Sequence, residues 1–169
     1  MKLETVRAVA QALNNAGVMC LFAGGFAVVA HGYGRMTYDI DLVLQLDREN
    51  ILRAFGALDS LGYVPRVPVT PVQFADAAVR ATWIREKGMQ VLNLFSDRHR
   101  ETPIDIFVEE PFDFEKAYAR ACVEEIAPGV PIHFVDLETL IAMKERAGRP
   151  KDLDDIAHLR TIQEDDVRD

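Results

Sequence analysis

"GGFAVVAHGYGRMTYDIDLVL" (residues 24–44) begins with two adjacent glycines and ends with two aspartates, Asp39 and Asp41, set in an apolar run. Carboxylates are among the side chains least often buried without a partner. Because side chains alternate between the two faces of a strand, both aspartates lie on one face, while Ile40 and Leu42 lie on the other. The pattern therefore predicts a core strand that presents two acids at one place.

The paired acids need a counter-charge, because two neighbouring carboxylates repel each other and one would ordinarily take up a proton. A divalent cation that binds both removes the conflict, and oxygen ligands alone suit Mg²⁺ or Mn²⁺. A third acid, Asp105, lies in the apolar stretch "PIDIFV" (103–108) and joins the pair if its strand is adjacent. We therefore predict Asp39, Asp41 and Asp105 as metal ligands and catalytic residues.

The two glycines, Gly24 and Gly25, follow a short apolar strand and begin a predicted helix. Glycine allows the backbone to approach a phosphate closely, and free N–H groups at the start of a helix attract anions. Arg35 and Thr37 precede the acids and are predicted to contact phosphate, although Arg35 also fits a structural partner for a carboxylate. Phosphate beside metal is the arrangement of a nucleoside triphosphate site.

Composition limits the classes of protein to consider. The 169 residues, 49% of them hydrophobic, predict one domain spanning 1–169. The net charge of −8 argues against a broad nucleic-acid-binding surface but leaves a local patch for tRNA open. The basic residues considered for that patch are Arg80, Arg85, Lys87, Arg98 and Arg100.

The location predicted from the sequence is the cytoplasm. No apolar run is long enough to span a membrane, and the N-terminus has the pattern of an amphipathic helix rather than a signal peptide. Cys20 and Cys122 lie in apolar contexts and are predicted as free thiols.

The order of elements predicts an α+β fold, with helices packed on a mixed sheet and two helices at the C-terminus. Residues 64–78 are predicted as a loop with a short helix near 74–78. "VRATWIRE" (79–86) and "MQVLNLFSD" (89–97) are predicted as two strands joined by a hairpin turn at Lys87–Gly88.

Residues 24–44 resemble the signature of the nucleotidyltransferase superfamily that includes DNA polymerase beta: Gly-Gly or Gly-Ser, a helix, then Asp-x-Asp. "LIAMKERAGRPKDLDDIAHL" (140–159) is similar to the C-terminal helices of small bacterial and archaeal members, which include relatives of toxin–antitoxin nucleotidyltransferases. The resemblance implies a polymerase beta-like fold, a bound nucleoside triphosphate such as ATP, and Mg²⁺ or Mn²⁺.

The resemblance also implies a role for each motif position. Gly24 and Gly25 match the phosphate-binding turn, and Asp39 and Asp41 match the metal-binding pair. Asp105 matches the third acid, which in active members helps to deprotonate the attacking hydroxyl. Many enzymatic members have serine after the first glycine, so the chain lacks one phosphate contact there.

Two positions near the C-terminus have alternative interpretations. Lys144 matches a lysine that meets the nucleotide phosphates, but its apolar neighbours also fit a lysine with a partly buried stem. The run "KDLDD" (151–155) allows i,i+3 and i,i+4 charge pairs. We therefore predict a solvent-exposed face for Lys151, Asp154 and Asp155.

The predicted function is a metal-dependent nucleotidyltransferase that moves a nucleoside monophosphate from a nucleoside triphosphate to an acceptor hydroxyl. The main alternative is a catalytically weak or inactive nucleotide-binding, antitoxin-like module that acts through a protein partner. A metal-dependent phosphohydrolase and a structural role of the acids in salt bridges are further alternatives. The acceptor is open between a small molecule, a protein and tRNA, as is assembly into a homo-oligomer.

Overall fold

A computed structural model describes the backbone of residues 1–168 and the side chains of residues 1–165. The strands of this part are β1 (Cys20–Ala23), β2 (Ile40–Leu44), β3 (Tyr63–Pro65), β4 (Val91–Ser96), β5 (Ile104–Phe107), β6 (Cys122–Ala127) and β7 (Val130–Phe134). Its helices are α1 (Leu3–Asn15), α2 (Gly24–Ala30), α3 (Arg48–Ser60), α4 (Pro71–Ala75), α5 (Ala77–Lys87), α6 (Phe114–Ala119), α7 (Leu137–Ala147) and α8 (Pro150–Arg168).

The strands form one mixed sheet in the order β3-β4-β5-β2-β1-β7-β6. The central strand β2 runs antiparallel to β1 and parallel to β5, and β1 runs parallel to β7. This confirms the predicted α+β fold with its mixed sheet and two C-terminal helices. The prediction of one domain over 1–169 stays a prediction, and Asp169 lies outside the described residues.

Burial alternates along the strands that carry the acids. Ile40 and Leu42 of β2 and Ile104 and Ile106 of β5 are inaccessible to solvent, as the alternating pattern predicts for the core face. The apolar residues buried on both sides of the sheet form one cluster that extends from α1 to α8. The acids therefore sit on the other face of a rigid, fully packed pair of strands.

Helix boundaries follow the signals that the sequence carries. The side chain of Asp47 accepts a hydrogen bond from the Asn50 N–H at the start of α3, and Asp136 accepts one from Thr139 at the start of α7. Gly148 ends α7 with a φ of 62°, the left-handed conformation that glycine adopts most easily. The turn at Gly148 brings α8 back against α7, which positions both helices beside the acids.

The predicted hairpin at Lys87–Gly88 is wrong, because residues 77–87 form helix α5. The Asp76 side chain accepts hydrogen bonds from the first N–H groups of this helix, and Gly88, with a φ of 60°, ends it. The Lys-Gly dipeptide is thus a helix end rather than a two-residue turn. Residues 64–78, predicted as a loop with a short helix near 74–78, contain the end of β3, the short helix α4 and the start of α5, whereas β4 forms as predicted.

Other sequence predictions have mixed outcomes. Arg80 is buried, and its guanidinium donates to the carbonyl oxygens of Phe74 and Val108, so it takes no part in a surface patch for tRNA. Cys20 and Cys122 are free thiols, as predicted. Among the described residues, no helix combines the length and apolar character that crossing a bilayer requires.

Candidate active site

The three predicted acids meet because β2 and β5 are direct neighbours. Asp41 stands in register with Asp105 on these parallel strands, and Asp39 immediately precedes β2. Neighbouring strands lie about 5 Å apart, so the Asp41 and Asp105 carboxylates point side by side from the same face. All three acids line one cavity of about 560 Å³ between the sheet and α7.

The three acids lie near enough for their charges to act on one another. Burial raises the pKa of Asp41 to about 6, and the charges of Asp105 and Asp39 act in the same direction. Burial also raises the pKa of Asp105. Among the described residues, none of the three acids forms a salt bridge with a lysine, arginine or histidine. A bound cation would relieve this repulsion.

A ready-made metal cage is absent, since no three His, Cys, Asp or Glu side chains within the described residues are grouped to hold an ion. Mg²⁺ commonly takes one or two carboxylates and completes its shell with water and substrate phosphates. The hard oxygen donors of Asp39 and Asp41 fit such an ion. The site thus suits a metal that arrives with a phosphate ligand.

The first glycine is required by both backbone and space. Gly24 has a φ of 60°, and a Cβ there would lie 1.8 Å from Asp41 Oδ2. The backbone at the end of β1 therefore passes directly against the carboxylate, with Ala23 in register with Asp41. A side chain at position 24 would therefore force Asp41 out of its present position.

We expect Gly24→Ala to destabilise the protein by at least about 2 kcal/mol, because it combines left-handed backbone strain with displacement of Asp41. Urea unfolding followed by circular dichroism measures the change. Gly56→Ala is the matched control: Gly56 lies within α3 with open space around it, and alanine there should stabilise by about 0.5–1 kcal/mol. Equal midpoints for the two variants would contradict the assignment.

Arg35 and Thr37 lie in the segment between α2 and β2, and both line the cavity near Gly25. The Arg35 guanidinium contacts Asp155 of α8 through two nitrogens, with Nε 2.7 Å from Oδ1 and Nη2 3.0 Å from Oδ2. Arg35 is therefore an ion-pair partner of a carboxylate, one of the two roles considered from sequence. Its position on the cavity wall leaves the other role, contact with phosphate, compatible with the structure.

Lys144 lies at the centre of a buried charge cluster that joins α7 to α8. Its Nζ is 3.1 Å from Asp152 Oδ1 and 2.7 Å from Asp155 Oδ2, and the three side chains are 5%, 0% and 1% exposed. Burial acts to raise the pKa of Asp152, but hydrogen bonds from Arg149 and Lys144 outweigh it and lower the pKa to about 2. Lys144 also lines the cavity.

The predicted solvent-exposed face at 151–155 is correct for Lys151 and Asp154 and wrong for Asp155. Asp155 turns inward because Lys144 and Arg35 both pair with it, and Arg35 lies 120 residues away in sequence. Helical spacing alone cannot reveal such a partner.

Two residues that hold the third acid in place, Asn93 and Arg66, were not predicted from the sequence. Asn93 stands in register with Asp105 on β4, and its Nδ2 donates to Asp105 Oδ1 at 2.6 Å. Arg66 donates to Asn93 Oδ1, which fixes the direction of the amide. The signal was a lone polar residue in the apolar stretch "VLNLFS", but its meaning depends on the strand register.

Solved structures with this fold include nucleotidyltransferases. ANT(2")-Ia in complex with adenylyl-2"-tobramycin is 14% identical with a TM-score of 0.59, and the match covers 94% of this chain and 87% of that one. Lincosamide antibiotic adenylyltransferase LnuA, bound to lincomycin, is 16% identical with a TM-score of 0.56, over 88% and 90% of the two chains. A Thermotoga maritima protein provisionally named a nucleotidyltransferase is 16% identical with a TM-score of 0.55, over 96% and 92%.

No curated protein sequence matches the chain. The sequence pattern of one family, described as "Nucleotidyl transferase AbiEii toxin, Type IV TA system", matches residues 7–169. The match includes the glycine pair, all three acids and the C-terminal helices. The chain therefore belongs to the AbiEii nucleotidyltransferase toxin family of type IV toxin–antitoxin systems.

Proposed function

We propose that this protein is a metal-dependent nucleotidyltransferase that transfers a nucleoside monophosphate from a nucleoside triphosphate to an acceptor hydroxyl. One observation carries the proposal: Asp39, Asp41 and Asp105, without salt-bridge partners among the described residues, line one cavity beside the glycine pair. Family membership supports nucleotidyl transfer in general. The metal, the nucleotide and the acceptor are the finer parts of the proposal.

Asp39 and Asp41 would hold Mg²⁺ or Mn²⁺, with Asp105 as the third ligand that the motif implies. When bound, the ion neutralises charge on the triphosphate and polarises the phosphorus–oxygen bond that breaks. Gly24 and Gly25 let the backbone approach the phosphates, and Arg35 and Thr37 add polar contacts. Lys144 remains a predicted phosphate ligand, although its ammonium group already pairs with two buried aspartates.

Asp105 is the proposed proton acceptor. The Asn93 amide donates to one of its carboxylate oxygens, and the two lone pairs of the other oxygen are left for the metal and the acceptor hydroxyl. The hydroxyl oxygen attacks the α-phosphorus as its proton passes to Asp105, the bond to the bridging oxygen breaks, and pyrophosphate leaves. The raised pKa of Asp105 favours this proton transfer, because it makes the carboxylate a better base.

The phosphohydrolase alternative receives no support from the histidines. His31 contacts the Val135 carbonyl oxygen, His99 contacts the Thr5 hydroxyl, His133 stacks on Tyr118, and His158 stacks on Tyr33. Within the described part of the chain, no histidine lines the cavity.

The proposed acceptor is a hydroxyl group, and three classes of molecule can supply it. The solved structures of ANT(2")-Ia and LnuA contain adenylyl-2"-tobramycin and lincomycin, so a hydroxyl-bearing small molecule is the first class to test. A protein side chain and a tRNA end are the other classes. A protein partner, a homo-oligomer and a cytoplasmic location stay predictions.

Calorimetric titration of each of the four nucleoside triphosphates, with and without Mg²⁺, tests the proposed site. We expect one or more to bind only with Mg²⁺, and binding to disappear in the double variant Asp39→Asn/Asp41→Asn. Asp59→Asn, at an exposed acid on α3, is the matched control and should bind normally. The triphosphate that binds, labelled at its α-phosphate, is then incubated with each acceptor class.

Three results can follow from this experiment. Label transfer that needs both Mg²⁺ and the acids supports the enzyme. Binding without transfer to any acceptor class favours the nucleotide-binding, antitoxin-like alternative. Wild-type protein that binds no triphosphate would exclude both.

A further inference from the structure

The second glycine has a different structural reason from the first. Gly25 has no left-handed φ, so its backbone would accept any residue. It is buried, however, and a Cβ built on it would lie 2.5 Å from Thr37 Oγ1 and 2.9 Å from Arg35 Nη2. Position 25 must be glycine because another side chain already fills the space in which its own would stand.

Neither neighbour can easily move aside. Threonine is branched at Cβ and stiff at χ1, and Thr37 Cβ itself would lie 3.0 Å from the added atom. Arg35 is held by two contacts to Asp155 and donates from Nη1 to the Met36 carbonyl oxygen. The hydroxyl of Thr37 and the guanidinium of Arg35 are thus fixed over the Gly25 backbone.

The Thr37 hydroxyl is available to a ligand. Among the described residues, the Thr37 hydroxyl has no hydrogen-bond partner. Within residues 33–37, only the side chains of Tyr33 and Arg35 form hydrogen bonds. Thr37 is half-buried and lines the cavity together with Gly25 and Arg35. A half-buried hydroxyl without a protein partner, beside a guanidinium, suits a charged oxygen ligand.

We infer that Gly25 and Thr37 together form one phosphate-binding subsite. Its hydroxyl comes from Thr37 because Gly25 has no side chain, and a serine at position 25 would place a hydroxyl in the same space. The inference rests on the proposed function and assigns the missing hydroxyl contact to a particular residue. It follows that the glycine at position 25 is not a lost contact. The hydroxyl donor has moved to the segment before β2.

The test measures the affinity of the Mg²⁺ complexes of inorganic tripolyphosphate and of the best-binding nucleoside triphosphate by calorimetry. Tripolyphosphate reports on the phosphate contacts without a base. Thr37→Val removes the hydroxyl while keeping the shape and should weaken both probes about tenfold, the loss expected for one hydrogen bond to a charged group. Thr37→Ser keeps the hydroxyl and should stay within about threefold of the wild type.

A swap of the two positions is the stronger form of the test. Gly25→Ser alone should weaken both probes at least tenfold, because the new side chain displaces Thr37 and Arg35. Gly25→Ser combined with Thr37→Gly removes both Thr37 atoms that the new side chain would meet and returns one hydroxyl to the same space, so it should bind both probes more tightly than Gly25→Ser alone. Melting temperatures of all variants confirm that binding is measured on folded protein.

The outcomes separate this inference from the proposed function. Wild-type binding with an unchanged Thr37→Val variant would overturn the inference and leave the function standing. A double variant no tighter than Gly25→Ser alone would overturn the exchange of positions. Absence of wild-type binding to either probe would overturn the proposed function and this inference with it. If Gly25→Ser fails to fold, Thr37→Val against Thr37→Ser decides.

Discussion

Asp41→Asn is expected to stabilise the ligand-free protein at pH 8 and to reduce Mg²⁺-dependent triphosphate binding and transfer to background. Burial and the charges of Asp105 and Asp39 make the ionised Asp41 unfavourable in the folded state. Asparagine has nearly the same shape and no charge, so it removes the repulsion and the proposed metal ligand together. A gain in stability with a loss of function distinguishes a site residue from a structural one.

The pH dependence gives this prediction its sign and size. The pKa of Asp41 rises from 3.8 to about 6 on folding, so between these values the folded state holds a proton that the unfolded state has lost. Stability contributed by this group therefore falls as pH increases from about 4 to about 6, and the loss is complete above pH 6. Two pKa units correspond to about 3 kcal/mol.

Thermal unfolding at pH 4.5 and pH 8, without and with Mg²⁺ and triphosphate, measures the effect. At pH 8 Asp41→Asn should melt roughly 5–10 °C above the wild type, and the difference should shrink at pH 4.5. Ligand should raise the melting temperature of the wild type but not that of Asp41→Asn. Asp59→Asn, which removes an exposed carboxylate, should change neither value. An Asp41→Asn variant that melts below the wild type at pH 8 would show that the carboxylate is structural.

The sequence was sufficient to predict that the acids lie together, because their placement depends mainly on local geometry. Alternation along a strand places Asp39 and Asp41 on one face, whatever lies around them. Asp105 needed one further step, the adjacency of β2 and β5, which its similar apolar context indicated. Asn93 depends on the exact register of β4 against β5, and a shift of one residue would point it to the other face.

Helix α5 shows where reading by pattern fails. Its apolar residues Val79, Trp83 and Ile84 are only half-buried, and Arg80 is its one buried side chain among the described residues. Its apolar residues do not recur at helical spacing, and its β-branched and aromatic residues are typical of a strand. The cap at Asp76 was the better signal, because it reports the backbone conformation directly.

The charge cluster around Lys144 is the feature that sequence reasoning could least anticipate. Asp155 forms salt bridges with Lys144, which lies eleven residues before it, and with Arg35, which lies in a distant loop. Through this pair of contacts, α8 holds the segment that carries Thr37 and Asp39. A helix that resembles a charged, solvated tail in the sequence is therefore part of the support of the site.

Lys144→Met is expected to destabilise the protein by about 3–5 kcal/mol, the range for removing one partner of a buried ion pair. Methionine preserves the length and apolar stem of lysine, so the loss comes from the charge. Asp152 keeps Arg149 as a partner and Asp155 keeps Arg35, but both carboxylates then lie buried with less than their present counter-charge. Against a total stability of about 5–15 kcal/mol, this is a large fraction.

Urea unfolding at pH 7.5 measures the loss, with Lys87→Met as the matched control. Lys87 lies exposed at the end of α5, away from the cavity, so its replacement should change stability by less than about 0.5 kcal/mol. Equal stability of the two variants would show that the buried pairing contributes nothing.

Calorimetry on folded Lys144→Met then separates the two roles of the lysine. Unchanged triphosphate affinity means that it only supports the fold. The double variant Lys144→Met/Arg35→Gln tests whether the lysine acts through Arg35. If it loses no more triphosphate affinity than Arg35→Gln alone, the effect of Lys144 on phosphate passes through Arg35.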